Sequence, residues 1–297
     1  MKIKNSKESI NASLLQILFL VATVVGVIVR TFQRFTQIES DTGFYKEINF
    51  VNTFIMVFMI LIPLVFLLLS FLSKDTKALT FEKTSSRPLF AVSFALAAAF
   101  VYDAIASLFR LATLEEVYPS AGFNEAPFLK ARILLALISG VFMVFFGLNA
   151  KGSYNKLSKL FVLPLAPAVW AAVRLFPLFA NEISYIQVSD LFSEIFMLVF
   201  AVLFFFYLAQ SVNGTGHFGC SYKVVAYGFS TAFLSAVINI PKFVATVVSA
   251  DKYIASGYPL SAVDFMVFLF AATAVIAVLK SERNEDELLF ENESKNK

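Results

Sequence analysis

Apolar residues in this chain come in long unbroken runs, not in the alternating or one-faced patterns of a water-soluble fold. Eight runs are long enough to cross about 30 Å of hydrocarbon, which takes roughly 20 residues of helix. They cover residues 13–31, 50–72, 88–112, 130–148, 160–180, 188–211, 221–248 and 259–279. Each is predicted to be helical, because backbone groups in lipid must bond within their own segment. Pro164, Pro167 and Pro177 interrupt the fifth run, and the seventh carries Asn239, Pro241 and Lys242 near its end. The first run follows Lys2, Lys4 and Lys7 as a signal sequence would. No small-x-small cleavage site follows it, and it continues into Arg30, Phe32 and Arg34, so it reads as a retained span.

Composition agrees with this pattern. Of 297 residues, 59% are hydrophobic and 15% charged, and 36 are Phe. A soluble domain carries roughly 25% charged residues, so a soluble enzyme and a disordered chain are both excluded. The net charge of +3, with no basic arm, offers nothing to a nucleic acid. The fold class expected is all-α, a polytopic membrane protein whose first partner is the lipid bilayer.

Charged connections set an orientation. Lys74, Lys77, Lys83, Arg87, Lys151, Lys156, Lys159 and Lys223 fall on one side with the amino-terminal lysines. The other side holds Glu39, Asp41, Glu115, Glu116, Glu125 and Asp251. The positive-inside rule then puts both termini in the cytoplasm. The organisation expected is a cytoplasmic amino terminus (1–12), two four-helix units (13–150 and 151–280) and a frayed polar cytoplasmic tail (281–297).

The two units resemble each other. Val29-Arg30-Thr31-Phe32-Gln33-Arg34-Phe35 matches Val173-Arg174-Leu175-Phe176-Pro177-Leu178-Phe179 as V-R-x-F-x-x-F. Phe142-Met143-Val144-Phe145 recurs as Phe265-Met266-Val267-Phe268, with looser matches for the second and third spans. Four spans per unit keep both in the same orientation, which predicts a 4+4 parallel repeat about an axis along the membrane normal. Shared apolar composition is the competing explanation.

Ionisable groups inside a bilayer are costly, about 2.5–3.5 kcal/mol each on insertion scales, so each needs a reason. At 1.5 Å per residue, Asp103 falls about 14 Å inside the outer end of its span, Arg174 and Glu194 about 9 Å, and Asp264 about 7 Å. Arg30 and Arg110 fall nearer the surface. Asp103, Ser107 and Arg110 share one helix face, as do Asp190 and Glu194. Arg174 is within reach of Glu194 across the short hairpin between spans five and six. One reading is a polar cavity in the outer half of the membrane, binding a small polar or charged solute, with Asp103 accepting a proton. The other is a set of interhelical ion pairs and interface-seeking side chains. Pro164 and Pro167 either break the fifth span or mark a first-turn start. Trp170, four residues before Arg174, stacks on the guanidinium or packs against a neighbouring helix.

Enzymatic signatures are missing. No H-E-x-x-H and no G-x-S-x-G are present. The single cysteine, Cys220, and single histidine, His217, exclude a thiol relay within the chain and the usual zinc sets. Neither Glu115-Glu116 nor Tyr102-Asp103 has the partner motif of an intramembrane protease. No catalytic residue, metal or cofactor is expected.

Arg30-x-Phe32, followed by Asp41-Thr42-Gly43-Phe44-Tyr45 and a long apolar span, resembles uncharacterised polytopic membrane proteins of Gram-positive bacteria. The resemblance covers mainly the first two spans. It implies a bacterial inner membrane and supplies no activity. The leading expectation is a small-solute binding or transport protein working by relative motion of its halves. The alternative is a membrane scaffold, sensor or subunit with a membrane-protein partner or a second copy of itself, in which Gly26, Ser139, Gly140 and Gly147 mark helix contacts.

Overall fold

The computed structural model describes residues 2–39, 45–47, 49–72, 86–117, 125–153, 157–180, 188–214, 220–249 and 260–295. Eight long helices account for most of them: α1 (Lys2–Thr36), α2 (Phe50–Leu72), α3 (Arg87–Val117), α4 (Ala126–Ala150), α5 (Ala166–Ala180), α6 (Val188–Val212), α7 (Cys220–Val248) and α8 (Ala262–Lys295). Eight segments are long and apolar enough to cross a membrane, one on each helix, the fifth opening in the short turn before α5. A single bridge, Ile38 to Tyr45, is the only extended pairing among the described residues. The chain is an integral, multi-pass membrane protein with an all-helical fold.

Proline marks where helices start. Pro88, Pro127 and Pro167 are the second residues of α3, α4 and α5. The missing N–H costs nothing there, because first-turn donors have no partner within the helix. Pro164 lies in a single 3-10 turn, Leu163–Leu165, that leads straight into α5. The proline pair therefore shapes the entry to the fifth span and does not break its middle. Helix α8 runs on through the polar segment beyond its apolar span, to Lys295. Glu and Lys are good helix formers, and an existing helix propagates more readily than a new one nucleates.

Helix α7 is the central element and packs on α1, α2, α6 and α8. Phe229 stacks on Phe19 of α1 at 4.8 Å and meets Phe66 of α2 at 5.7 Å. Phe270 of α8 meets Phe146 of α4 at 5.5 Å and Phe204 and Phe205 of α6 at 6.2 Å each. Glycines allow close approach where rings crowd the backbone. A Cβ on Gly26 would lie 2.7 Å from Val237, one on Gly147 2.9 Å from Phe94, and one on Gly228 2.4 Å from Val275.

The surface is inverted relative to a soluble protein. Ile17, Leu20, Val21, Val24, Ile28 and Phe32 run exposed down one side of α1, while Arg30, Gln33 and Arg34 on its other side are buried. Large exposed apolar faces are tolerated where lipid covers them. Buried charge under such a face needs partners, and the partners define the site.

Candidate functional site

Successive helices run up and down, so α1, α3, α5 and α7 end where α2, α4, α6 and α8 begin. Polar side chains gather at that end of the bundle. The sequence supplies them from the carboxyl-terminal halves of the odd helices (Arg30, Arg34, Asp103, Arg174, Asn239, Lys242) and the amino-terminal halves of the even ones (Asn52, Arg132, Asp190, Glu194, Asp264).

The densest group centres on Arg174 of α5. Its Nη1 donates to Asp264 Oδ1 of α8 at 2.5 Å and its Nη2 to Asp264 Oδ2 at 2.8 Å. This two-pronged geometry matches a guanidinium to a carboxylate and is among the strongest side-chain pairings. The same Nη2 donates to Glu194 Oε1 of α6 at 3.1 Å. One turn before Arg174, the Trp170 ring lies 4.8 Å from the guanidinium carbon, a cation–π distance. Trp170 Nε1 faces the other way and donates to Asp103 Oδ2 of α3 at 3.0 Å. Asp103 also accepts from Arg132 of α4, through Nε at 3.0 Å and through a second, closer bond from Nη2. Arg132, Asp103, Trp170, Arg174, Asp264 and Glu194 thus form one connected chain across five helices. Asp264 is fixed further by its own backbone, whose N–H is received by Ser261 Oγ at 3.2 Å and whose carbonyl accepts from Ser235 Oγ of α7. Asn239, one turn beyond Ser235, donates to the Ser235 carbonyl at 2.9 Å.

A second group lies across α1, α2 and α6. Asp190 accepts from Arg30 Nη2 and from Arg34 Nη2, the latter at 3.0 Å. Arg30 Nη1 donates to Gln33 Oε1 at 2.5 Å and to the Tyr45 hydroxyl at 3.5 Å. Gln33 Nε2 donates to Asn52 Oδ1 of α2 at 2.7 Å, and Asn52 Nδ2 to the Glu47 carbonyl at 2.7 Å. Lys242 of α7 is buried and acts electrostatically on Asp190. Helix α6 belongs to both groups, since Asp190 and Glu194 are one turn apart on the same face.

The two groups carry opposite charge. Two cations (Arg132, Arg174) and three carboxylates (Asp103, Glu194, Asp264) make up the first. Arg30 and Arg34 share the one carboxylate of Asp190 in the second. Most of these side chains are buried, but Arg132 and Glu194 remain 22% and 16% exposed. The arrangement offers a cation or proton acceptor beside an anion acceptor within one polar belt.

Arg110 stands apart from the belt. Its side chain is 59% exposed and bonds Glu125 at 2.9 Å, although it shares a helix face with Asp103. Sequence reading missed Arg132 as a partner because it lies one turn into an apolar run and looks like an interface residue. A signal was present: Asp103, deep in its span, requires a cation, and Arg132 is on the adjoining hairpin helix. Asp41, Thr42, Gly43, Phe44, His217 and Asp251, and the side chains of Glu115, Glu116 and Cys220, lie outside the described residues. Among the described residues no group of three or more His, Cys, Asp or Glu side chains is placed to hold a metal ion. Comparison with protein-family models, with curated proteins and with solved structures found no match to this chain.

Proposed function

We propose that this integral membrane protein binds a small charged solute in its polar belt and moves it across the membrane. The observation that carries the reading is the opposite charge of two buried groups joined by one helix, with Glu194 and Arg132 partly open beside them. Arg174 acts as the switch. It is shared between Asp264 and Glu194, so an arriving charged group competes for it while Asp264 holds its position. Asp103 takes a coupling proton when Arg132 withdraws. The reading needs no catalytic residue and no cofactor. It places both termini in the cytoplasm of a bacterial cell, with the polar belt in the outer half of the membrane.

The same reading takes α1–α4 and α5–α8 as two parallel repeats that move relative to each other. In its favour, α1 packs on α2 as α5 does on α6, and α3 on α4 as α7 does on α8. Arg30 and Arg174, matched by the repeat, both bind carboxylates on other helices. Against it, α6 packs on α7, the next helix in the chain, whereas α2 packs mainly on the distant α7.

The test is ligand-dependent thermal stability of the purified protein, because a ligand that binds only the folded state raises its stability. Ions, amino acids, carboxylates, nucleosides and lipids are screened against wild type, Arg174→Gln and Asp103→Asn. A shift present in wild type and lost in either variant is expected. Two variants that are merely less stable, with no ligand response in any protein, overturn the reading. A second reading, a membrane scaffold or subunit, is favoured by the closure of Arg174 on Asp264. That outcome, together with a co-purifying membrane partner or a stable homo-oligomer, selects it.

A further inference from the structure

Arg34 is the most buried guanidinium in the belt, with 2% of its side chain exposed. Its Nη2 is bonded to Asp190, but its Nε has no hydrogen-bond partner. Just past the end of α1, Gln37 Oε1 is also buried without a partner. Buried charged donors rarely go unmet in folded proteins, and an ion at the site is one recurrent explanation. The electrostatics at this place favour an anion. Arg34 shares its single carboxylate with Arg30, and Lys242 adds positive potential from α7. The Tyr45 hydroxyl stands 3.5 Å from Arg30.

We infer that the α1–α6–α7 cluster is an anion site that takes a phosphate or carboxylate group on the Arg34 Nε donor. Asp190 is the carboxylate already held by both guanidiniums. That carboxylate neutralises half of the two guanidinium charges while leaving one donor unfilled, so an entering anion adds to the pair instead of replacing it. A free solute and a lipid headgroup both supply this chemistry at the end of α1. The inference names a ligand class for one end of the belt and so rests on the solute-binding reading.

The experiment is a titration of the full chain in detergent at constant ionic strength, read by thermal unfolding. The probes are inorganic phosphate, acetate, and phosphatidylglycerol added to the micelles. The proteins are wild type, Arg34→Lys, Asp190→Asn and Arg174→Gln. Lysine keeps the positive charge and can still pair with Asp190, but it has no Nε–H donor in this position. Arg34→Lys is expected to bind about tenfold more weakly, the equivalent of one hydrogen bond to a charged group. Asp190→Asn is expected to be less stable without ligand, yet to bind about tenfold more tightly, because a like charge has gone.

A response to phosphate or acetate identifies a free solute as the source. A response to phosphatidylglycerol alone identifies a headgroup, and either supports the site. No response in wild type to any of the three probes overturns it. So does equal affinity in wild type and Asp190→Asn, a comparison that stands even if Arg34→Lys does not fold. An anion response kept in Arg34→Lys but lost in Arg174→Gln sinks this site and leaves the wider solute-binding reading intact.

Discussion

Arg174 shows what a single residue does in this protein. Three helices meet on its guanidinium, through Asp264, Glu194 and its own backbone. Removing one member of a buried pair leaves the other charge without compensation, a loss of about 3–5 kcal/mol. Arg174→Gln is expected to lower stability by that amount, measured by unfolding in mixed micelles. Adding Asp264→Asn to it should cost little more, because the stranded carboxylate is then neutral. A purely additive double variant would refute the coupling. Trp170 is expected to matter through one atom. Trp170→Phe keeps most of the ring but loses the 3.0 Å bond from Nε1 to Asp103, at a cost of about 2 kcal/mol. Arg110→Gln is the contrast. With its side chain mostly in the open, the Glu125 pair contributes little, and a change within about 0.5 kcal/mol is expected in the same assay. The Arg174–Glu194 approach was readable from sequence, since a short hairpin joins their helices. The stronger Asp264 contact was not, because 90 residues separate the partners and only the packing of α5 near α8 joins them.

At the scale of elements, helix identity followed from apolar run length, while Pro164 and Pro167 left a break and a first-turn start both open. Helix contacts did not follow from run length. Gly228 illustrates why. In sequence it is one small residue in a long apolar span, yet Val275 of α8 and Phe204 of α6 both crowd the place of its missing side chain. Gly228→Val is expected to push α7 from both neighbours and to destabilise by about 1–3 kcal/mol, read as a lower unfolding temperature. Gly152, just beyond α4, is constrained differently. Nothing lies within 4 Å of its Cβ position, but its φ is +80°. Gly152→Ala is expected to cost about 1 kcal/mol through backbone strain alone. If Gly228→Val proves as mild as Gly152→Ala, the close packing of α7 is wrong. Helix α6 is the element that joins the two charged groups, and its i, i+4 carboxylates were visible in the sequence as a shared face. That they part to different arginines was not visible, because partner choice depends on which helices flank α6.

For the whole molecule, lipid-facing apolar surface and buried charge give one consistent arrangement. The outer side of α1 is apolar and exposed, as a lipid-facing surface must be, while its inner side carries Arg30, Gln33 and Arg34 to α2 and α6. Orientation across the membrane is testable with a membrane-impermeant thiol reagent on intact cells. In a Cys220→Ser background, Glu39→Cys at the polar end is expected to react from outside. Ser153→Cys, on the lysine-rich side, is expected to react only after lysis. The reverse pattern would invert the topology and place the polar belt toward the cytoplasm.

Local chemistry in the sequence was enough for the membrane class and the eight spans. Each of those depends on hydrophobicity and helix geometry within about 20 residues. Tertiary structure alone decided the pairings. Asp103 closes on Arg132 and Trp170, Asp190 on Arg30 and Arg34, and Arg174 on Asp264 because helices distant in sequence are brought together. A charge buried in apolar packing must be met within a few ångströms, and which partner meets it is a property of helix arrangement rather than of any one segment.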